Sequence, residues 1–312
     1  MGYAVVLGEA LIDLLDGECG GERVYRPAVG GAPLNVAVGT ARLGGTVEFV
    51  GSLGDDVLAG RIRELLTAAG VGQRGVVTAA GVPTTLGVVT FAGAEPDFRF
   101  YGSPPSYGLL RAADLDVPLI EGASVLYAGS IALLCPPVLD AARRAWALAT
   151  GSRVFDPNVR PRLLTEPAAL DGLRAIVAEF AATADLVKLS SVDAELLYGD
   201  GPPEATAGRL RDLGAGTVVV TRGAHGAVVA TGTGDPVAVP APEVDAVDAT
   251  GAGDSVMAAL IAELLAAGTP AGLDGWRERV AFALRVAGLV CESRGGAVAM
   301  PTRAEVARRF PG

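Results

Sequence analysis

Lysine and histidine are almost absent from this chain of 312 residues, which contains one of each, Lys188 and His225. A phosphate-binding loop of the Walker A type needs a Gly-Lys-Ser/Thr triplet, and the sequence has none, so that loop is excluded. A single histidine also excludes a histidine-rich metal site. It lies in a glycine-rich turn, which does not suit a serine-histidine-aspartate triad. Any anionic ligand must therefore be bound by local backbone amides and a few cations.

Cysteine and long apolar runs are scarce as well. Cys19, Cys135 and Cys291 lie far apart without a CxxC pair, which favours a reducing compartment and predicts a cytoplasmic protein. No run of about twenty apolar residues exists, and Glu9 and Asp13 interrupt the first one, so neither a membrane span nor a signal peptide is predicted. The net charge of -10 argues against nucleic acid and membrane surfaces as partners, because both require basic patches.

Apolar runs alternate with helical patterns along most of the chain. This alternation predicts an α/β protein with a mostly parallel central sheet and helices on both faces. The predicted strands are 3–7, 47–51, 125–127, 154–155, 186–189 and 218–220, and the predicted helices are 33–43, 56–69, 138–149, 167–182, 204–213 and 276–291. No linker or composition break divides the chain, so residues 1–312 are predicted to form one domain.

Residues 84–107 interrupt this alternation. Two β-prone runs with a turn between them predict a hairpin. Together with residues 13–27, the hairpin is predicted to form a small β-lid, and an exposed apolar face on it would let two copies of the chain pair as a homodimer. Arg99 and Tyr101 alternate with two phenylalanines, so they are predicted to present a polar face to a sugar or an acid.

The most informative stretch is 247–255, Val-Asp-Ala-Thr-Gly-Ala-Gly-Asp-Ser. The apolar run that follows predicts a buried helix. Gly251, Ala252 and Gly253 would lie at its amino terminus, where unpaired amides and the helix dipole favour an anion. Asp254 would then lie beside that anion, where it suits the removal of a proton from a hydroxyl. The alternative is that Asp254 is an ordinary helix N-cap and that the glycines form a tight turn.

A second glycine pair, Gly30 and Gly31, precedes a helix predicted to begin at Pro33. Glycine lets the backbone approach a ligand closely. Asn35 falls in the first turn of this helix, where it either binds something or interrupts a cap. Asp13 follows the first strand, and ligands of parallel sheets bind outside the carboxyl ends of strands. Asp13 is therefore either a substrate contact or a solvated carboxylate in a turn.

Three more polar clusters follow predicted strands, at 156–160, 190–193 and 221–226. Ordinary turn chemistry explains each cluster alone. All three fall on the same edge of the predicted sheet as Asp254, and this shared edge favours a ligand site.

Two of these motifs carry a resemblance to a known family. Gly-Gly-Ala-Pro-Leu-Asn-Val-Ala at 30–37 resembles the amino-terminal signature of the ribokinase-like carbohydrate kinases, the PfkB family. Asp-Ala-Thr-Gly-Ala-Gly-Asp at 248–254 resembles the carboxyl-terminal signature, with Ala249 in place of the usual threonine. The resemblance implies a ribokinase-like fold and transfer of the γ-phosphoryl group of ATP to a sugar hydroxyl.

The resemblance also implies roles for individual residues. Asp254 would be the general base, and the amides of Gly251, Ala252 and Gly253 would form the anion hole. The implied sugar contacts are Asp13, Gly30, Gly31, Asn35 and Arg160, to which the hairpin adds Arg99 and Tyr101. The implied nucleotide contacts are Lys188, Ser190, Thr221, Gly223, Gly226, Ala283 and Ala287. The implied metal positions are Asp193 for Mg²⁺, and Asp248, Thr250, Ser293 and Gly296 for the K⁺ that many members bind. Ser190 and Asp193 replace the usual Asn and Glu, which leaves the exact role of Asp193 open.

The segments around Arg99, Arg160 and Lys188 resemble fructokinases and 2-keto-3-deoxygluconate kinases, and we favour a fructokinase. The two substrates differ in a carboxylate, which Arg99, Arg160 or Arg162 could pair with. A non-catalytic sugar- or nucleotide-binding regulator on the same fold is the alternative, and the intact Asp254 argues against it. A nicotinamide-dependent dehydrogenase is excluded, because the sequence lacks the third glycine of the dinucleotide-binding fingerprint.

Overall fold

A computed structural model describes residues 2–92, 95–164, 166–232, 234–293 and 295–311. Its strands are β1 (Ala4–Leu7), β2 (Leu11–Cys19), β3 (Glu22–Gly30), β4 (Val47–Leu53), β5 (Gly72–Thr78), β6 (Leu86–Ala92), β7 (Glu95–Tyr101), β8 (Val125–Gly129), β9 (Ser152–Asp156), β10 (Leu186–Ser190), β11 (Thr217–Thr221), β12 (Ala227–Ala230) and β13 (Val237–Val239). Its helices are α1 (Ala32–Arg42), α2 (Val57–Ala68), α3 (Val117–Glu121), α4 (Pro136–Leu148), α5 (Pro167–Ala181), α6 (Ser191–Tyr198), α7 (Pro203–Leu213), α8 (Ala252–Ala267), α9 (Leu273–Cys291) and α10 (Arg303–Arg309).

Nine strands form the central sheet, in the order β13-β12-β11-β10-β9-β8-β1-β4-β5. The strands from β11 to β5 pair in parallel, and β12 and β13 add an antiparallel edge. Alternate residues of β1 belong to two different apolar clusters, Ala4 and Val6 on one face and Val5 and Leu7 on the other. Helices α8 and α9 cover the first face, and α4, α5 and α7 cover the second. The predicted mostly parallel sheet with helices on both faces is confirmed.

A separate sheet of four strands has the order β3-β2-β6-β7. The predicted hairpin is present as β6 and β7, and its turn at 93–94 lies outside the described residues. The sequence did not predict that β2 and β3 pair as a second hairpin, which joins the first through the parallel pair β2–β6. The segments 13–27 and 84–107 thus contribute to one sheet, which we call the small sheet.

The helices of the described part of the chain all lack the combination of length and apolar character that a membrane span requires. The three cysteines are unpaired, as their spacing predicted.

Candidate active site

The amino terminus of α8 lies at the carboxyl edge of the central sheet. Gly251 has a φ of 80° and precedes the helix, and a Cβ on it would lie 3.0 Å from the Cα of Gly296. Glycine is therefore required here for both conformation and space. The amide of Ala252 donates to the carbonyl of Ala249 (3.1 Å), so the prediction that this amide is unpaired was wrong. The tight turn before the helix uses it, and the amides of Gly251 and Gly253 are the ones that find no partner among the described residues.

The Asp254 carboxylate is held by two side-chain amides. Asp254 is only 7% exposed, and its Oδ2 accepts from Nδ2 of Asn35 (2.7 Å) while its Oδ1 accepts from Nδ2 of Asn158 (3.1 Å). The helix-cap interpretation is wrong, because Gly251 occupies the N-cap position and Asp254 is the third residue of the helix. Its carboxylate is directed toward α1 and the loop after β9 instead of back to the helix amides.

Asn35 belongs to the first turn of α1, as predicted, and is buried. Its Nδ2 is used by Asp254, whereas its Oδ1 is buried and has no hydrogen-bond partner among the described residues. The amide in the helix therefore binds the carboxylate of a residue 219 positions away. An additional donor would satisfy its oxygen.

A buried ion pair lies beneath this carboxylate. Lys188 Nζ donates to Asp156 Oδ2 (2.9 Å), and the two side chains are 3% and 0% exposed. Burial raises the pKa of Asp156 to about 6, against the attraction of Lys188. Burial alone would lower the pKa of Lys188, but the carboxylates of Asp156, Asp193 and Asp254 raise it. Each partner thus favours the charged form of the other. Lys188 lies beneath the helix turn, since a Cβ on Gly253 would be 3.0 Å from its Nζ.

Asp13 approaches from the small sheet. Its carboxylate occupies the space in which a Cβ of Gly30 or Gly87 would lie, so both positions require glycine. Burial raises the pKa of Asp13 to about 7, and the nearby positive charge of Arg160 opposes this shift. Gly31 has a φ of 113°, and a Cβ there would overlap the carbonyl of Glu9. The glycine pair therefore makes room for Asp13 and lets the connection from β3 to α1 pass close to Glu9.

Arg99 and Tyr101 do not lie on the Asp13 face of the small sheet. In the strand register Asp13 pairs with Gly87, which pairs with Phe100, so these three residues share a face. Arg99 and Tyr101 alternate with Phe100, lie on the opposite face and are exposed. The register therefore argues against sugar contacts by Arg99 and Tyr101 from the Asp13 face, which instead carries the half-buried Phe100.

The predicted nucleotide residues fall into two groups. Thr221, Gly223 and Gly226 lie at the end of β11 and in the turn after it, on the same edge as Asp254, and Gly223 is open to solvent. Packing also requires glycine at position 226, because a Cβ there would overlap Val239 of β13. Ala283 is different. It is fully buried in the apolar cluster around α9 and has no surface for a nucleotide, whereas Ala287 keeps 8%.

Ser190 and Asp193 form a capping box at the start of α6, in which each side chain accepts from the backbone amide of the other. The other oxygen of Asp193 accepts from the amide of Val159 (2.9 Å). Direct metal coordination by Asp193 would compete with these bonds, so the geometry favours a structural role. The described residues contain no cluster of three or more His, Cys, Asp or Glu side chains suited to a metal.

The two loops predicted to hold K⁺ lie side by side. Asp248 Oδ1 accepts from the amide of Thr250 (2.8 Å), and its Oδ2 accepts from the amide of Gly295 (3.2 Å). Ser293 and Gly296 flank the second loop, whose residue 294 lies outside the described residues. Carbonyl oxygens of two adjoining loops are the kind of ligand that a hard monovalent cation uses.

Two residues of the site were not singled out by the sequence. Glu9 is buried and accepts from the amides of Ala32 (3.3 Å) and Ala132 (3.2 Å). Burial raises the pKa of Glu9 to about 7. Asn158, which binds Asp254, was only one member of a polar cluster. The sequence feature that could have identified Asn158 is its position two residues after Asp156, at the end of a parallel strand.

Comparison with known proteins identifies the class. The profile of the pfkB family carbohydrate kinases matches residues 1–303. The chain belongs to this family, and it is an ATP-dependent carbohydrate kinase.

Individual relatives narrow the comparison further. Fructokinase-1 of Oryza sativa subsp. japonica is 34% identical over 314 residues, which cover 97% of this chain and 95% of the relative. The fructokinase of Xylella fastidiosa with bound ATP superposes with a TM-score of 0.88 at 29% identity, covering 98% of this chain and 97% of that one. The fructokinase of Vibrio cholerae bound to fructose, ADP and calcium ion superposes with a TM-score of 0.87 at 29% identity, covering 99% and 98%.

Proposed function

We propose that this protein is a fructokinase that transfers the γ-phosphoryl group of ATP to a hydroxyl of fructose. The observation that carries the proposal is the Asp254 carboxylate, buried at the amino terminus of α8 and oriented by Asn35 and Asn158. Similarity to fructokinases over nearly the whole chain supports the choice of sugar.

In the proposed reaction Asp254 takes the proton of the attacking sugar hydroxyl. The hydroxyl oxygen forms a bond to the γ-phosphorus as the bond from that phosphorus to the bridging oxygen breaks, and ADP leaves. Charge on the transferring group would be met by the amides of Gly251 and Gly253 and by the dipole of α8. The buried charge of Lys188 lies next to this turn and adds to the positive potential. Such positioning and charge stabilisation supply most of the catalysis in phosphoryl transfer.

Asp13 favours a neutral sugar over a sugar acid. Its carboxylate lies on the face of the small sheet that also carries Phe100, with Arg160 nearby. Arg160 also donates to the side chain of Asn158 and to the carbonyl of Val159. A substrate carboxylate would therefore lie beside the carboxyl group of Asp13 and an arginine already bonded to protein oxygens, whereas sugar hydroxyls can hydrogen-bond to Asp13 in either of its protonation states.

We further propose that ATP binds as its magnesium complex and that the loops around Asp248 bind K⁺. Magnesium bound mainly by the phosphates and water needs few protein ligands, which fits the absence of a metal cluster among the described residues. When bound, magnesium would neutralise charge on the phosphates. We also propose that the protein is cytoplasmic and that the small sheet acts as a lid. Two copies of the chain would pair through that sheet as a homodimer.

A coupled ATP-consumption assay with a panel of sugars tests the function. Fructose should give the highest kcat/KM, and 2-keto-3-deoxygluconate should give much less. Preference for the acid would refute the fructokinase assignment and keep the kinase. If the protein binds a sugar but consumes ATP with none of the sugars in the panel, a non-catalytic regulator would be favoured. Replacing KCl by NaCl in the same assay tests the cation site.

A further inference from the structure

Asn158 has an unusual backbone conformation. Ser130 and Asn158 are the two residues other than glycine with positive φ in the described parts of the chain, and Asn158 has a φ of 38°. This region is costly for most side chains, and asparagine is among those that tolerate it best. The conformation is fastened by Asp156, whose Oδ1 accepts from the amide of Asn158 (3.0 Å) while its Oδ2 accepts from Lys188.

The nitrogen and the oxygen of the Asn158 side-chain amide each form a hydrogen bond. Its Nδ2 donates to Asp254 Oδ1 (3.1 Å), and its Oδ1 accepts from Nη1 of Arg160. The two neighbours fix the orientation of the amide, because a flip would place an oxygen against the carboxylate and an NH₂ group against the guanidinium. Asn158 is 8% exposed, so water does not compete well for either bond.

The loop around Asn158 is tied down on both sides. The amide of Val159, the next residue, donates to Asp193, which is itself fixed by the capping box of α6. The preceding contact is to the buried Asp156–Lys188 pair. The backbone around Asn158 is thus held by Asp156 at the end of β9 and by Asp193 in α6, independently of Asp254.

We propose that Asn158 is a positioning residue for the general base, an inference that rests on the proposed function. Asn35 and Asn158 each bind one oxygen of the Asp254 carboxylate and so fix its plane relative to the amino terminus of α8. Asn35 lies in α1, which follows β3 of the small sheet, whereas Asn158 lies in the loop after β9 of the central sheet. Asn158 therefore keeps the base in place even while the small sheet moves.

The test is a double-mutant cycle with Asn158→Gly and Asp254→Asn. Glycine accepts the backbone conformation without strain and removes the amide, so the variant should fold with a nearly unchanged Tm. We expect its kcat to fall roughly 10- to 100-fold, because small misplacement of a reacting group has effects of this size. The KM for ATP should change less than about threefold, a difference below 1 kcal/mol. Asn158→Asp, which keeps the shape but repels Asp254, should lose at least as much kcat.

The second arm of the cycle separates positioning from a general structural role. In the Asp254→Asn background there is no base to position, so Asn158→Gly should change kcat less than about threefold. An equal loss of kcat in both backgrounds, or an unchanged kcat in the single variant, would overturn the proposal for Asn158 and leave the kinase assignment intact. A wild-type protein that phosphorylates no sugar would overturn both proposals.

Discussion

The floor of the site and the small sheet differ in how firmly they hold their functional groups. On the floor, Asp254, Asn35, Asn158, Asp156 and Lys188 are each 8% exposed or less, and each is hydrogen-bonded to another member. In the small sheet, most side chains of β2 and β3 are half-buried or exposed. The groups proposed for phosphoryl transfer are thus fixed by one another, whereas the small sheet holds its side chains with fewer buried neighbours.

The largest effect on the floor should come from Asp254→Asn. Asparagine keeps the shape but cannot accept the proton, so kcat should fall roughly 10²–10⁴-fold. The KM for ATP and the Tm should change little, because asparagine occupies the same space and the Asn35 amide can flip to present its unpartnered Oδ1 to the new NH₂ group. Steady-state kinetics and thermal unfolding on one preparation measure all three. Near-normal turnover in a folded variant would contradict the proposed mechanism.

The buried ion pair gives the largest expected effect on stability. Lys188→Met leaves Asp156 buried without its partner, which should lower the free energy of unfolding by about 3–5 kcal/mol. Arg143→Met is the matched control, because its ion pair with Glu179 is 44% exposed on both sides and should cost less than about 1 kcal/mol. Denaturant unfolding measures both. Equal losses in the two variants would show that burial is not what makes the Lys188 pair important.

Glu9 gives a prediction about pH. Its pKa is raised to about 7 in the folded chain, so the native state binds a proton more tightly than the unfolded state, and stability from this group is lost as pH rises from 4.5 to 7. In Glu9→Gln the loss of unfolding free energy between pH 5 and 8 should be smaller by about 2–3 kcal/mol. Glu18→Gln, on the exposed end of β2, is the control and should keep the wild-type slope. Parallel slopes for Glu9→Gln and the wild type would contradict the burial of the carboxyl group.

Within the small sheet, the two faces should respond differently. Phe100→Ala removes an apolar contact on the Asp13 face and should raise the KM for fructose roughly 5- to 30-fold, equivalent to about 1–2 kcal/mol. Arg99→Ala, on the opposite face, should leave that KM within about twofold of the wild-type value, below 0.5 kcal/mol. A larger effect of Arg99→Ala would mean that the outer face takes part in the site, for example through a second copy of the chain.

The smallest effect should be on local opening of the small sheet. Saturating fructose should slow amide hydrogen exchange in segments 13–27 and 84–107, because a closed lid exposes fewer amides. Exchange in β8 and β11, which are fully buried, is the internal control. Unchanged exchange in both segments would contradict the lid.

The sequence predicted the elements far better than their orientation. Alternating patterns predicted the central sheet, and the glycines before Asp254 predicted the helix terminus, because both signals are local. The face that carries Arg99 could not be predicted, since a period of two residues does not say which set points inward. The contact of Asn158 with Asp254 joins residues 96 positions apart, and it depends on a left-handed turn that the sequence does not specify. The hydrogen bond of the Ala252 amide also depends on the conformation of a turn that the sequence does not specify.

The isolation of Lys188 has a practical consequence for chemical labelling. It is the only lysine, so it is the only side-chain amine that an acylating reagent can modify, and it is 3% exposed and paired with Asp156. We expect the folded protein to resist modification at this position and the rate of acylation to report how often the floor opens. Mass spectrometry after timed exposure to an acylating reagent, with and without ATP, measures that rate. Fast modification of Lys188 in the native protein would show that the floor opens readily.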